Sequence, residues 1–415
     1  MNEPYSLTEQ LAKHLQRPVD EATRKRARLH LLDWLACVAG ALRSDVAASL
    51  RKADVRDAAW LGNVLEMDDV HRAALLHPGP AVWPTALDTA YEVEASMHEM
   101  LDGAVRGYEA MIAIGSTFDA YHYEHFHNTA TAGVFGAACS AGFLYDSSEE
   151  ELVWAMGNAG STAGGLWQMR HENVMTKQWH LGQVRGDGSF AALMAKAGVS
   201  GPRHILEGPQ GLYAATCREP KAMQFPNHWQ IHGVSFKPWA ACRHAHPVID
   251  CILELKAQGP VSGPIRVETY KDAITFCDRP NPESEVQAKF SLQHAAAVAA
   301  LADPGDPANY TAETASRPEF VTFRAQVSVQ ESSEISARFP NHFGARVTSA
   351  SGSTEMIDTR GDPERPLSEE GLFAKVHSLF KWGGLNWAEA NKAITLCLEG
   401  DSSDAIYEFV DEWLT

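Results

Sequence analysis

The sequence predicts a mostly α fold, with a large all-helical domain and a smaller α+β domain. Three observations carry this. Apolar residues recur at helical spacing through the first 200 residues, where strand-like alternation is nearly absent. The texture changes near residue 236, and turn residues 260–264 introduce the alternating run Ile265-Arg266-Val267-Glu268-Thr269-Tyr270. From Ser368 to the end the pattern is helical again.

Taken in order, Ser6-Leu7-Thr8-Glu9 reads as a helix start, with Ser6 as N-cap and Glu9 three positions on. Residues 24–42 place Ala27, Leu31, Leu35 and Val38 on one helical face. Further helices are expected over 82–97, 100–118, 130–144 and 149–156. Small residues crowd the third of these, from Ala132 through Gly142. A helix so poor in large side chains must bury itself by close backbone approach. In the second domain, strands are expected at 265–270, 319–323, 345–349 and 354–357, with one helix over 285–301 between them.

The chain has 415 residues, enough for one large or two moderate domains. Hydrophobic residues make up 45% and charged residues 21%, as in globular rather than disordered chains. Lys and Arg number 35 against 53 Asp and Glu, a formal net charge of −18. That balance repels phosphate backbones and anionic lipid, so neither nucleic acid nor a membrane is expected as partner. The longest apolar runs, 29–42 and 129–144, are too short to span a bilayer. Met1-Asn2-Glu3-Pro4 shows no basic region leading into an apolar one, so no secretory signal is expected. Seven cysteines, odd in number and without a CxxC pair, suit free thiols in the cytoplasm.

Five segments could carry chemistry. Glu66-Met67-Asp68-Asp69-Val70-His71 leads to the turn His77-Pro78-Gly79, bringing three carboxylates and two imidazoles within twelve residues. Proton transfer needs such groups close together. The plainer reading makes Asp68 and Asp69 loop residues and His71 solvated. Tyr121-His122-Tyr123-Glu124-His125-Phe126-His127 holds three histidines that could ligate zinc or iron, although no specific metal spacing surrounds them. In Met175-Thr176-Lys177-Gln178-Trp179-His180, apolar and aromatic neighbours could desolvate Lys177 and suit it to gripping a carboxylate. Residues 236–246, including Lys237, Cys242, Arg243, His244 and His246, lie at the domain junction. Residues 285–294 end on His294. No cysteine signature surrounds Cys242, and GxGxxG, P-loop and GxSxG motifs are missing.

In order, these segments resemble the MmgE/PrpD family, whose members include 2-methylcitrate dehydratase, cis-aconitate decarboxylase and iminodisuccinate epimerase. The resemblance runs through residues 66–79, Gly107-Tyr108-Glu109, Phe126-His127 with 133–138, 176–182, Gly201-Pro202 with 205–208, 237–250 and 288–293. It implies a helical domain from 1–235 and 365–415, an α+β lid over 236–364, a homodimer, and an active site between the domains that uses no metal or organic cofactor. It places acid/base residues at Glu66, where many relatives have Asp, and at His77, followed by His127 and Lys177. Asp69 or Glu66 would orient a histidine. His294, Arg170, Gln178, Arg243 and His246 would line the substrate side. His294 stands where dehydratase- and decarboxylase-like relatives carry Tyr, the segment 167–171 departs from them, and Arg185 is shifted by one place.

The resemblance implies a cofactor-independent lyase acting on a small di- or tricarboxylate. Dehydration of the 2-methylcitrate type leads, with decarboxylation and epimerisation as alternatives. The rival is a metal-dependent hydrolase using His122, His125, His127 and Asp68 or Asp69, and a third reading is a relative that only binds its ligand. A polycarboxylate requires a local reversal of the chain's negative charge, expected at Lys177 with Arg170, Arg185 or Arg243.

Overall fold

A capping box opens the described chain, which in this computed structural model comprises residues 5–172 and 174–415. The stretch Met1–Pro4, read above for a leader, lies outside it. Ser6 accepts from the Glu9 amide and Glu9 returns the bond to the Ser6 amide, as the sequence predicts. No described helix is long and apolar enough to cross a membrane.

The chain forms two units. The first, residues 1–64, 69–234 and 386–415, is built on helices, with no strand named among its described residues. It contains α1 (Leu7–Leu15), α2 (Glu21–Gly40), α3 (Asp45–Ala53), α4 (Pro78–Glu92), α5 (Met97–Gly115), α6 (Ala120–His125), α7 (Asn128–Leu144), α8 (Glu149–Ser161), α9 (Thr176–Lys196) and α10 (Leu212–Thr216). Its centre is α7, buried from Asn128 to Gly142 and packed on α4, α5, α8 and α9. The small residues permit this. A Cβ added to Gly136 would lie 2.8 Å from the Met111 Cβ and 2.9 Å from the Gly107 carbonyl oxygen, distances that no real side chain tolerates. The α5–α7 crossing is therefore a backbone-on-backbone contact at Gly107 and Gly136.

The second unit, residues 65–68 and 235–385, holds the sheet. It runs through α11 (His246–Gln258), β1 (Ile265–Thr269), α12 (Lys271–Cys277), α13 (Glu285–Lys289), α14 (Leu292–Leu301), α15 (Ala312–Ala315), α16 (Pro318–Arg324), β2 (Val327–Glu331), α17 (Ser333–Ser336), β3 (Ala345–Ser349), β4 (Gly352–Met356) and α18 (Glu369–Gly383). The chain then returns to the first unit with α19 (Trp387–Leu398) and α20 (Ser403–Leu414). The strand order is β2-β1-β3-β4, with β1 parallel to β2 and the other pairs antiparallel. Ile265, Val267 and Thr269 alternate inward, and Val267 lies opposite both Val329 and Val347.

The fold is mostly α with a small α+β part, as expected, but local details differ. Residues 319–323, expected as a strand, lie inside α16: Pro318 starts that helix at a position where its missing N–H costs nothing, and Phe320 and Phe323 bury one helical face. The strand is Val327–Glu331 instead. The helix expected over 285–301 breaks at Ser291, whose hydroxyl caps α14 by accepting from the His294 amide. Helix α18 groups with the second unit, where the sequence reading returned to the first domain at 365. Its Lys375 ammonium donates to the Met67 carbonyl at 2.6 Å, and Leu372, Val376, Leu379 and Phe380 are buried.

Candidate active site

Three helices of the first unit begin on or beside a residue with proton-transfer or anion-binding chemistry. His77 is the N-cap of α4, His127 is the N-cap of α7, and Lys177 is the second residue of α9. Hydrogen bonds tie these helix starts together. The His77 amide donates to Thr129 Oγ1 at 3.1 Å, linking α4 to α7, and His127 Nδ1 meets His180 Nδ1 at 3.1 Å, linking α7 to α9. A helix start carries about half a positive charge and so favours an anion; at α4 that anion is the Asp69 carboxylate, and Lys177 adds its charge at the start of α9.

Residues 69–79 set His77. The chain turns through 71–76, closed by the His71–Leu76 backbone pair, and brings Asp69 back across the start of α4. His77 makes no side-chain cap of its own. Asp69 does that work, its Oδ1 accepting from the Gly79 amide at 2.8 Å. The other carboxylate oxygen accepts from the Tyr108 hydroxyl at 2.7 Å and lies 2.8 Å from His30 Nδ1. The Asp69 carbonyl sits 2.9 Å from His77 Nδ1. A carbonyl only accepts, so the proton is on Nδ1, and Nε2 is the basic nitrogen of the neutral ring. Asp69, expected to orient a histidine, meets His77 through its backbone and His30 through its carboxylate. His77 itself is half-buried, which suits a group that must meet a ligand.

The second group is His127, His180 and Lys177. His127 is buried, its ring centroid 4.6 Å from that of Trp167 and its amide donating to the Gly165 carbonyl at 2.8 Å. In the neutral histidine pair one Nδ1 must donate and the other accept. Burial, and secondarily the Lys177 charge, push the His180 pKa down to about 4. Lys177 stands one turn before His180 on α9 and is half-buried. Gln178 reaches the Asn63 carboxamide oxygen at 3.4 Å. A cavity of about 550 Å³ opens beside this group, lined in part by Gly165, Gln168, Thr176, Trp179, His180 and Gln183.

The remaining predicted residues are engaged elsewhere. Arg170 donates to the Glu124 carbonyl at 2.9 Å and lies over the Trp167 ring at 4.6 Å. Arg185 binds Asp88 through two N–H groups and lies 3.9 Å from Asp57, so nearby carboxylates already balance its charge. His122 Nδ1 pairs with the Thr216 hydroxyl, and His125 Nδ1 with the Tyr121 carbonyl. With His127 directed at His180, the three histidines do not converge. Among the described residues, the side chains whose ligand atoms approach one another closely enough for a metal are His342, Asp358 and Glu364, outside the predicted cluster.

In the second unit, Glu66 is buried at a positive φ of 57°. Asp68 forms a buried ion pair with Lys237 at 3.3 Å. Arg243 pairs with Asp362 and donates to His246 Nδ1 at 3.1 Å, while His246 Nε2 donates to the Ala241 carbonyl at 3.0 Å. Both are buried, and burial, reinforced by Arg243, holds the His246 pKa well below the usual histidine range. His294 is also fully buried: Nε2 meets the Asn309 carbonyl at 2.9 Å and Nδ1 accepts from Arg324 at 3.3 Å, and burial lowers its pKa to about 4. Arg243, His246 and His294, expected on the substrate side, thus have ring nitrogens or guanidinium groups engaged by protein partners.

Sequence reasoning gave no role to His30, Tyr108, His180 or Lys237. His180 had a usable signal, since it lies three residues after Lys177 and so on the same helix face. His30 had none, because its partner is 39 positions away.

The MmgE/PrpD N-terminal domain matches residues 51–224, and the MmgE/PrpD C-terminal domain matches residues 239–399. The chain belongs to the MmgE/PrpD family. Similar proteins include cis-aconitate decarboxylase of Mus musculus, 24% identical over 276 residues, covering 61% of this chain and 55% of that one. A cis-aconitate decarboxylase-like protein of Aspergillus oryzae is 26% identical over 217 residues, covering 47% and 45%. Cis-aconitate decarboxylase of Homo sapiens is 27% identical over 194 residues, covering 44% and 40%. The matched stretch spans about half the length of these curated relatives. Within this MmgE/PrpD chain the N-terminal match carries Glu66, His77, His127 and Lys177, the C-terminal match carries Arg243, His246 and His294, and Lys237 falls between them.

Proposed function

We propose that this chain is a lyase acting on a small di- or tricarboxylate by proton transfer at a carbon next to a carboxylate. The observation that carries the reading is His77, half-buried at the start of α4 with Nδ1–H committed to the Asp69 carbonyl, which leaves Nε2 as the base. Removing a proton beside a carboxylate builds enediolate-like charge, which needs a nearby cation. Lys177 and the α9 start supply one. His127 and His180, sharing a proton between their Nδ1 atoms, form a second transfer group. For Glu66 the proposal is an acid/base or orienting role. The cytoplasm suits its seven free thiols.

Both leading reactions use the same residues. In dehydration, His77 Nε2 takes the proton from carbon and a protonated group returns one to the departing hydroxide. In decarboxylation, the C–CO₂ bond breaks, its electrons pass to the carbon, and a histidinium protonates that carbon. Cis-aconitate is the first acid to test, because the curated relatives carry that activity in their names, and 2-methylcitrate, citrate and iminodisuccinate follow. Proton NMR of each acid with the protein in deuterated water, beside an assay for carbon dioxide, separates the outcomes: carbon dioxide release for decarboxylation, a new or lost vinyl signal without it for hydro-lyase chemistry, deuterium uptake without net conversion for epimerisation. No change in any of the four acids would reject the reading. Turnover is expected to survive metal chelation. Activity that EDTA removes and zinc or iron restores would favour the metal-dependent hydrolase instead.

A homodimer is part of the proposal. Leu166, Val174, Met175, Phe190 and Leu193 are exposed along α9 and the loop before it, a stretch that a second chain would cover. Light scattering should give the mass of two chains, and Phe190→Glu with Leu193→Glu should give one. A wild-type monomer at micromolar concentration would contradict this.

A further inference from the structure

We propose that His30 positions His77 for proton transfer, acting through Asp69. The inference rests on the reading of His77 as the acid/base group.

His30 sits mid-way along α2 and is fully buried, on a stretch of helix whose residues from His30 to Gly40 are all buried. A polar ring there is costly unless it is hydrogen-bonded. Its Nδ1 meets Asp69 Oδ2 at 2.8 Å, and a carboxylate only accepts, so His30 is held as the Nδ1–H tautomer or as the cation. The same oxygen accepts from Tyr108, whose ring lies 5.7 Å from the His30 ring. Two donors on Oδ2 and the Gly79 amide on Oδ1 leave the carboxylate little freedom.

That rigidity reaches His77 by two routes. The Asp69 carbonyl is the acceptor that keeps the His77 proton on Nδ1, and a carboxylate fixed on one side of a residue fixes the peptide on the other. The Gly79 amide lies two residues after His77, so the carboxylate also fixes the helix start that aims the ring. Without the His30 donor, Asp69 keeps its charge in a buried setting with one partner fewer. It would then rotate toward other donors and carry its carbonyl away from His77. His30 touches no substrate in this scheme, so it is a positioning residue. Groups one shell behind a working residue, such as those that orient metal-bound histidines, are worth about 10- to 100-fold in activity.

The test uses the full chain labelled with ¹⁵N-histidine, with the His77 signals identified by comparison with His77→Gln. In the wild type, His77 should appear as a single Nδ1–H tautomer. His30→Leu, which fills the space without a donor, should move His77 toward a mixture of tautomers and lower kcat on cis-aconitate, or on the acid turned over in the screen, about 10- to 100-fold with KM changed less than twofold. His30→Asn, whose side-chain N–H falls where Nδ1–H lies, should keep the single tautomer and a kcat within about threefold of wild type. If His30→Leu does not fold, Tyr108→Phe, which removes the other donor from the same oxygen, carries the comparison with His30→Asn. A His77 tautomer unchanged in the donor-less variant, or a kcat within twofold of wild type, overturns the proposal. Turnover retained by His77→Gln would instead overturn the reading of the site, and the tautomer measurement would still report whether His30 controls His77.

Discussion

His77 owes its proposed chemistry to a carbonyl rather than to a carboxylate. The Asp69 backbone fixes its tautomer, and the Asp69 side chain holds the helix on which it stands. The role proposed for Lys177 is different, to offset the charge of the bound acid. Lys177→Ala should therefore lower kcat/KM at least 100-fold, while the unfolding midpoint stays within about 2 °C, because a half-buried lysine contributes little to packing. Activity lost only in proportion to folded protein would remove Lys177 from the site. At this scale the sequence showed the residue types better than their partners. His77 and Lys177 stood out as candidates because each sits in an unusual local run. Arg170, Arg185, Arg243 and His294 looked equally available, but their partners Glu124, Asp88, Asp362 and Asn309 are distant in sequence, and no local pattern predicts such pairs.

At the scale of elements, the small residues of α7 do the work that large side chains do in most cores. They let α4, α5 and α9 approach closely, and those contacts bring three helix starts together. Gly136→Ala places a methyl group against Met111 and the Gly107 backbone, and should cost about 1–3 kcal/mol in urea unfolding. A variant as stable as wild type would mean that α5 and α7 can part without cost. Helices were legible from periodicity, and at Ser6 from a cap: Ser6 opens α1, and the pattern read as helical from Ser368 opens there as α18. The strands were less so. Residues 319–323 form a run too short for its length to separate strand from helix, but Phe320 and Phe323 stand three apart, which shares a face only in a helix, and the proline before them supplies the helix start.

For the whole molecule, burial makes the chain sensitive to acid. His122, His180 and His294 each have a pKa lowered to about 4, mainly by burial. The unfolded chain protonates histidines near 6.5, so between about 6.5 and 4 it binds protons that the folded chain does not. Stability should then fall as pH drops through that window, with a limiting slope of about 1.4 kcal/mol per pH unit for each histidine, and stay level above about 7.5. Urea midpoints at pH 7.5, 6 and 5 would show it, and a midpoint that rises toward pH 5 would contradict it. A local exception to the acidic balance read from composition is proposed where hydrogen bonds link the starts of α4 and α7 and join His127 to His180 on α9, one turn after Lys177. The most direct test of that site is proton NMR of cis-aconitate in deuterated water, with wild type beside His77→Gln. The account predicts conversion or deuterium uptake by the wild type and at least a 100-fold slower rate in the variant at equal folded concentration. Equal rates in both would contradict it.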